Sequence, residues 1–541
     1  MLDLSALSAA LRSEGRVSRR LFLAYGAALA AVPVLGERVV GSVLQQPKFA
    51  ANPFSLGIAS GDPSAAGVVL WTRLAPKPLD EAGGMPRENV EVRWELADDE
   101  GMKTVVKSGT AVASPQLGHS VHVEAEGLKP DRWYFYRFHC GDATSPVGRT
   151  RTMPERSSVP ERLDFAFASC QNYEQGLFTA YENMAKDDLD LVFHLGDYIY
   201  EYPHNPKAKT PPVRIHAGPT KGKLITLEDY RNRHAQYRTD ALLRKMHALC
   251  PWVVTWDDHE FDNNYANDVS EKNANPKTAV DPAVFLEQRA NAYQAYYEMM
   301  PLRKRSVPHG PDMKLYRTLR FGRLAEFQVL DTRQYRTDQP NGDGAKELRE
   351  EALNPKNSLL GAKQANWLKA ALLRSTGAWN VLAQQVMMGM ADVAAGEPKR
   401  YSMDQWPGCA HERMKLMQWI ADRKVPNPVV LTGDIHSNWA NDLRVDDREP
   451  ETPIVAAEFV GTSISSGGNG QKEHKELPAL LAENPFVKFH NRQRGYVRCA
   501  VTPKEWRSDY VVVPDVLKVG GPAEVAAAFV IEAGKPGLAK A

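Results

Sequence analysis

The chain is 541 residues long, which suits three or four domains of roughly 150 residues, or one large enzyme core with a small module. Lys and Arg total 67 against 66 Asp and Glu, a formal net charge of +1. That balance speaks against nucleic acid as the main partner, because phosphate-backbone binders carry a clear basic excess. Hydrophobic residues at 43% and charged residues at 25% exclude wholesale disorder, and five cysteines are too few and too odd in number for a disulfide framework.

At the N-terminus Arg12, Arg16, Arg19 and Arg20 precede an apolar run that ends at Leu35 and contains Gly26 and Pro33. The run is short of the roughly twenty residues that a bilayer span needs, so no stable membrane span is expected. Ser18-Arg19-Arg20-Leu21-Phe22-Leu23 resembles a twin-arginine export signal. Residues 1–45 are accordingly read as signal and linker. The expected partner is the twin-arginine (Tat) export machinery, and the expected location is periplasmic or extracellular. An amphipathic first helix with a basic edge is the alternative. Ala28-Leu29-Ala30 has a small-x-small pattern but lies inside the apolar run, which leaves the cleavage point open.

Residues 50–152 read as an all-β sandwich. Val68 to Thr72 is an apolar strand, Val90 to Leu96 alternates with period two, and Trp133 to Phe138 is aromatic and strand-like; turn clusters such as Ala82-Gly83-Gly84 separate them. Thr152 to Ser158 reads as a linker. From residue 160 to 515 strands alternate with helices, which predicts an α/β layered core. Leu163–Ala168 ends at Ser169-Cys170, Leu189–Leu195 at Gly196-Asp197, Trp252–Trp256 at Asp257-Asp258, Leu324–Leu330 at Asp331, and Val429–Thr432 at Gly433-Asp434. A helix is expected from about Gly176 to Asp187. Residues 204–223 and 262–282 are rich in Pro, Asn, Lys and Asp and read as loops. In the C-terminal segment 516–541, Ala523 to Ile531 is Ala-rich and helix-like.

Open α/β sheets place their sites just past the strand ends. There this sequence sets Cys170; Asp197 and Tyr200; Asp257-Asp258-His259-Glu260; and Asp434 with His436. Each piece alone is weak, since a Gly-Asp after a strand is often a turn and a lone cysteine is often a small buried hydrophobe. Together they are oxygen, nitrogen and sulfur donors at one topological position, from which a dinuclear metal site with a bridging carboxylate can be assembled.

The set resembles the calcineurin-like metallophosphoesterase plan, in which ligands follow successive strands. Asp197 with Tyr200 is similar to the Asp-x-x-Tyr of purple acid phosphatases. Cys170 stands in place of the first aspartate. With Trp256 to Glu260, Thr432 to Trp439, Ile58 to Pro63, Val69 to Arg73 and Leu330 to Arg336, the chain resembles the PhoD-type alkaline phosphatase and phosphodiesterase family over about residues 54 to 510. The resemblance implies a metallophosphatase domain, a layered β-sandwich core flanked by helices, behind the N-terminal β-sandwich.

It also implies roles. Cys170, Asp197, Tyr200 and His436 would hold a ferric ion (Fe3+). Asp197 would bridge to a second metal that Asp258 and Asp434 also hold. Carboxylates at those two places, where phosphoesterases carry an amide and an imidazole, favour calcium (Ca2+) over zinc. Asp257 is the alternative to Asp258. His259 would sit near the leaving group as a proton donor or phosphate ligand, and Asn263 and Asn438 are candidate outer contacts to phosphate or a second calcium. Arg73, Arg333 and Arg336 are phosphate-binding or structural. The remaining cysteines read as buried thiols or one incidental pair. The expected reaction is phosphate ester hydrolysis, with metal-bound hydroxide attacking phosphorus in line. Its substrate would be a small-molecule or lipid phosphate ester. The rival readings are a phospholipase D-like phosphodiesterase and a non-catalytic secreted binding module.

Overall fold

Leu163-Asp164-Phe165-Ala166-Phe167-Ala168 is apolar in near-continuous fashion, the mark of a strand covered on both faces, and it lies at the centre of the molecule. The computed structural model describes residues 43–44, 47–207, 211–219, 222–340 and 342–541. The twin-arginine segment lies outside the described residues. Among the described residues no helix is long and apolar enough to cross a membrane.

Two large sheets pack face to face. In the ten-stranded sheet Leu163–Ala168, Leu191–His194 and Trp252–Val254 run parallel and adjacent. In the seven-stranded sheet Ala325–Val329, Trp379–Ala383, Pro428–Thr432 and Ala456–Val460 run parallel. Between them lies an aromatic core: Phe165 meets Phe193, Phe327 and Trp506 edge-on, each at 5.5 Å between ring centroids. Helices cover the outer faces. Ala241–Leu249 and Pro282–Met299 close one side, burying Leu243, Met246, Tyr293 and Tyr296 against Val192, Trp252 and Val254. Gly361–Arg374 and Ala410–Asp422 close the other, with Leu368, Leu416 and Ile420 against Leu382 and Val430. Helix starts carry ordinary caps: Thr226 and Asp229 form a capping box on Leu227–Arg238, and Asp281 caps Pro282–Met299 with proline at the first position.

The N-terminal β-module contains a six-stranded sheet that includes Asn89–Ala97, Val105–Ala113 and Trp133–Cys140. Tyr134, Tyr136 and Phe138 pack from it onto Val68, Leu70, Val121 and Val123. The strands bearing those partners, Gly67–Arg73 and Ser120–Glu126, extend the ten-stranded sheet through Ile58–Ser64 next to Trp252–Val254. One sheet thus runs through the boundary expected near residue 152.

Two local expectations are corrected. The helix expected from Gly176 to Asp187 is only Thr179–Met184. The Ala-rich C-terminal stretch is a strand, Glu524–Glu532, paired with Glu505–Val513. Its apolar residues suit period two as well as a helix: Ala527, Phe529 and Ile531 alternate into the core between the sheets. All five cysteines are free and buried.

Candidate metal centre

The parallel strands of both sheets end at one edge of the sandwich, where Ser169 and Ser463 form a bridge between them. Every donor singled out past those strand ends arrives there. Cys170, Asp197 and His436 form one group whose ligand atoms lie within 4.8 Å of one another; Asp197, Asp258 and His259 form a second, and Asp257, Asp258 and Asp434 a third. The Tyr200 hydroxyl donates to Asp197 Oδ2 at 2.8 Å and lies 3.2 Å from His436 Nε2.

The backbone is bent to present them. Cys170, Asp197, Asp434 and His436 have φ of 59°, 55°, 65° and 53°, the left-handed region that L-residues avoid. Such strain gathers where the surroundings over-determine it, which is often a functional site. The glycines before the two aspartates answer to crowding. A Cβ on Gly196 (φ +108°) would sit 2.4 Å from Asp257 Cβ, and one on Gly433 would sit 2.6 Å from Ser169 Oγ. The Glu260 carboxylate ties the strand ends together by accepting from the backbone N–H groups of Asp197 at 3.0 Å, Tyr198 at 2.5 Å and Asp257 at 2.8 Å.

Charge in this bed is lopsided. Arg333, wholly buried, lies 2.5 Å from Asp257 through Nε, 2.7 Å from Asp404, 3.3 Å from Asp434 and 3.6 Å from Asp258. Burial pushes the Asp197 and Asp257 carboxyls well above the usual carboxylate range, against the pull of His259 on the first and Arg333 on the second. Burial likewise raises Asp434 to about 7. Burial acts on Asp258 too, but Arg333, His259 and the Asn264 backbone N–H hold its carboxyl low. The Cys170 thiol and the Tyr200 phenol are both raised, first by burial and then by Asp197. Burial and Arg494 lower His436 to about 3.

Asp197 Oδ1, Asp257 Oδ2 and Asp258 Oδ1 are buried without a hydrogen-bond partner, a costly state for a carboxylate unless a cation completes it. Crowded acids, orphaned oxygens and an imidazole uncharged at neutral pH are what a metal site offers. The residues present therefore fit bound cations.

The family model for PhoD-like phosphatases matches residues 165–510, and that for their N-terminal domain matches residues 40–154. The chain belongs to the PhoD-like phosphatase family. It is a phosphoric ester hydrolase, and the family implies metal dependence. This PhoD-like chain is 52% identical over 495 residues to alkaline phosphatase D of Bacillus subtilis (strain 168), covering 91% of this chain and 83% of that one. A solved structure titled as that of PhoD superposes with a TM-score of 0.87 at 51% identity, covering 91% of this chain and 93% of the other.

Of the other expected residues of the PhoD-like chain, Asn263, Asn438 and Arg73 make their hydrogen bonds away from the donors. The Asn263 side chain donates to Glu271 at 2.6 Å and its backbone N–H to Glu201 at 3.1 Å, so among the described residues no hydrogen bond joins Asn263 to the cluster. Asn438 is buried in its sheet, accepting from Thr462 N–H at 3.0 Å. Arg73 is buried and donates to the Gly118 carbonyl at 2.8 Å. Arg336 pairs with Asp404 at 3.1 Å, and Arg333 is a counter-charge inside the cluster. Sequence reasoning missed Asp404 and Gln405, whose side chains hold Arg333 and Asp434; they follow a two-residue strand, Tyr401–Ser402, too short to signal a site. It also missed Ser466, which donates to the Tyr200 hydroxyl at 2.6 Å, and Glu201, beside Tyr200 but turned to His259 at 2.7 Å.

Proposed function

We propose that the protein is an exported, metal-dependent alkaline phosphatase that hydrolyses phosphate monoesters and accepts diesters. The observation that carries this reading is the sharing of donors: Asp197 and Asp258 each belong to two of the three donor groups, and shared carboxylates are what two adjacent cations require. On donor chemistry, Cys170, Asp197, Tyr200 and His436 would hold ferric iron, for which thiolate and phenolate are strong anionic donors. Asp197 would bridge to a calcium ion held also by Asp258 and Asp434, since calcium takes carboxylate oxygens. Bound cations supply Lewis acidity, neutralising ester oxygens and acidifying water.

The chain's own residues supply the proton. A water oxygen bonds to phosphorus as the P–O bond to the leaving group breaks. The water releases a proton to bulk solvent, and the departing oxygen keeps the bond's electron pair and takes a proton from a neighbouring side chain. His259 suits that delivery. Its Nδ1 faces Glu201 Oε2 at 2.7 Å, which leaves Nε2 for the leaving group. His259 is 9% exposed where Asp197 and Asp258 are 1% and 2% exposed, so it is more open than those two carboxylates. The Tyr200 ring packs tilted against that of His259, at 4.2 Å between centroids.

Metal analysis of the purified protein is expected to return iron and calcium together, with a visible charge-transfer band that Tyr200→Phe loses. Zinc in place of both would overturn the metal assignment. Turnover of 4-nitrophenyl phosphate should exceed that of its bis ester, and a calcium chelator should abolish both; hydrolysis of the diester alone would favour a phospholipase D-like phosphodiesterase. Cys170→Ala or Asp197→Asn should abolish activity in a folded chain, whereas His259→Asn should lose activity yet retain its metals. Export rests on Ser18-Arg19-Arg20; replacing both arginines by lysine is expected to leave the protein in the cytoplasm, and undiminished export would remove that part of the reading.

A further inference from the structure

Glu201 is wholly buried, and both of its carboxylate oxygens are engaged. Oε2 faces the His259 ring at 2.7 Å. Oε1 accepts the Asn263 backbone N–H at 3.1 Å and lies 2.9 Å from Lys223 Nζ. Lys223 is itself 10% exposed at its side chain, an unusual place for a lysine unless it is paired. It reaches Asp262 at 2.7 Å and Glu271 at 3.5 Å, and its ammonium lies 4.8 Å from the centre of the Tyr202 ring. The two acids are locked in turn: Ser270 donates to Asp262 at 2.9 Å, and the Asn263 amide donates to Glu271 at 2.6 Å. Lys223 comes from the 204–223 loop and Asp262 and Glu271 from the 262–282 loop, the two segments that frame the site in the sequence.

We propose that Lys223 is a positioning residue for the reaction: it holds Glu201 in the place from which Glu201 orients His259 toward the leaving group. This rests on the reading of His259 as the proton donor. Lys223 lies among three carboxylates, Glu201, Asp262 and Glu271. Without its charge they repel one another in a poorly solvated space, where like charges interact strongly. Glu201 then has reason to leave His259, and the ring loses the partner that fixes which nitrogen faces the substrate. A lysine that merely closed two loops would matter equally for every substrate. One that orients the proton donor matters most where the leaving group needs a proton.

The leaving group therefore reports the role. An alkoxide, as from glycerol 2-phosphate, needs protonation; 4-nitrophenolate departs readily without it. Turnover by the metal-loaded parent, Lys223→Met, Glu201→Gln and His259→Asn is measured on both esters. In Lys223→Met and Glu201→Gln, kcat is expected to fall about tenfold or more further on glycerol 2-phosphate than on 4-nitrophenyl phosphate, within the roughly 10²–10⁴-fold scale of acid–base assistance. KM should change far less than kcat. Should Lys223→Met fail to fold, Asp262→Asn loosens the same lysine and should show the same split in weaker form. Equal losses on both esters in the Lys223 and Asp262 variants, or losses confined to KM, would overturn the proposal while a selective loss in His259→Asn left the proton-donor reading standing. Equal losses in His259→Asn would overturn that reading and this proposal with it.

Discussion

Arg333 shows how one side chain sets the character of the site. Its guanidinium is wholly buried among Asp257, Asp258, Asp404 and Asp434, and its fork geometry allows it to serve several carboxylates at once. Taking away one partner of a buried ion pair leaves the others uncompensated, which typically costs about 3–5 kcal/mol. Arg333→Met is therefore expected to lower the unfolding free energy by about that amount in urea titrations. A variant with the parent's midpoint would show that the carboxylates relax around the gap. The same residue illustrates what residue type alone conceals: an arginine after a strand reads equally well as a phosphate ligand or as a structural partner, and only its position inside the acidic cluster decides.

At the scale of the element, the determining feature is the turn that follows each central strand. Gly-Asp at positions 196–197 and 433–434 was legible in the sequence, but the reason for each glycine was not. Gly196 combines a φ of +108° with forbidden approaches to Asp257 Cβ and to the backbone of Trp256 and Asp257, whereas Gly433 has only the close approach to the Ser169 side chain, Oγ at 2.6 Å and Cβ at 2.8 Å. Gly196→Ala is thus expected to disturb the metal centre more than Gly433→Ala. Backbone strain of this sort costs of order 1–3 kcal/mol, and the clash shifts Asp257 in addition. Bound metal per chain and thermal midpoint, compared in the two variants, test the order; an equal or reversed ranking would show that the turn after Leu191–His194 adapts. The C-terminal strand carries the opposite lesson. Ala523 to Ile531 satisfies a helix locally, and it becomes a strand because Glu505–Val513 offers an edge and the core takes Ala527, Phe529 and Ile531 from one face.

For the molecule as a whole, the depth of the core brings a dependence on pH. His194 is buried, its ring faces Trp252, and neither nitrogen has a hydrogen-bond partner. Burial lowers its pKa from 6.5 to about 3. The unfolded chain therefore binds a proton that the folded chain refuses between those values, so this group contributes stability that is present above pH 6.5 and is lost as pH falls toward 3, at about 1.4 kcal/mol per pH unit. Replacing it by leucine is expected to flatten the decline in urea stability between pH 6.5 and 5 relative to the parent. The comparison with the parent isolates His194 from Glu260, raised by burial to about 7, whose contribution has the opposite sign. Parallel stability curves for parent and variant would refute the assignment.

The sequence by itself determined the layered α/β character of the chain, the β-rich N-terminal module and the set of candidate donors past the strand ends, because strand periodicity and strand-end chemistry are local signals. Cys170, Asp197, Tyr200, Asp258, Asp434 and His436 were legible as candidates in this way, since they follow four strands: Cys170 one, Asp197 and Tyr200 a second, Asp258 a third, and Asp434 with His436 a fourth. Tertiary structure alone decided the rest. Whether Asp257 shares the cluster depends on the approach of Gly196 and Arg333. Asp404 and Gln405 arrive from a short strand pair that carries no pattern. The tie from Lys223 through Glu201 to His259 joins residues 22 and 58 positions apart, a join made by loops whose course no periodicity encodes. The ten-stranded sheet crosses the boundary read near residue 152 for a similar reason: backbone hydrogen bonding between distant strands leaves no mark on composition, and only packing selects which edges meet.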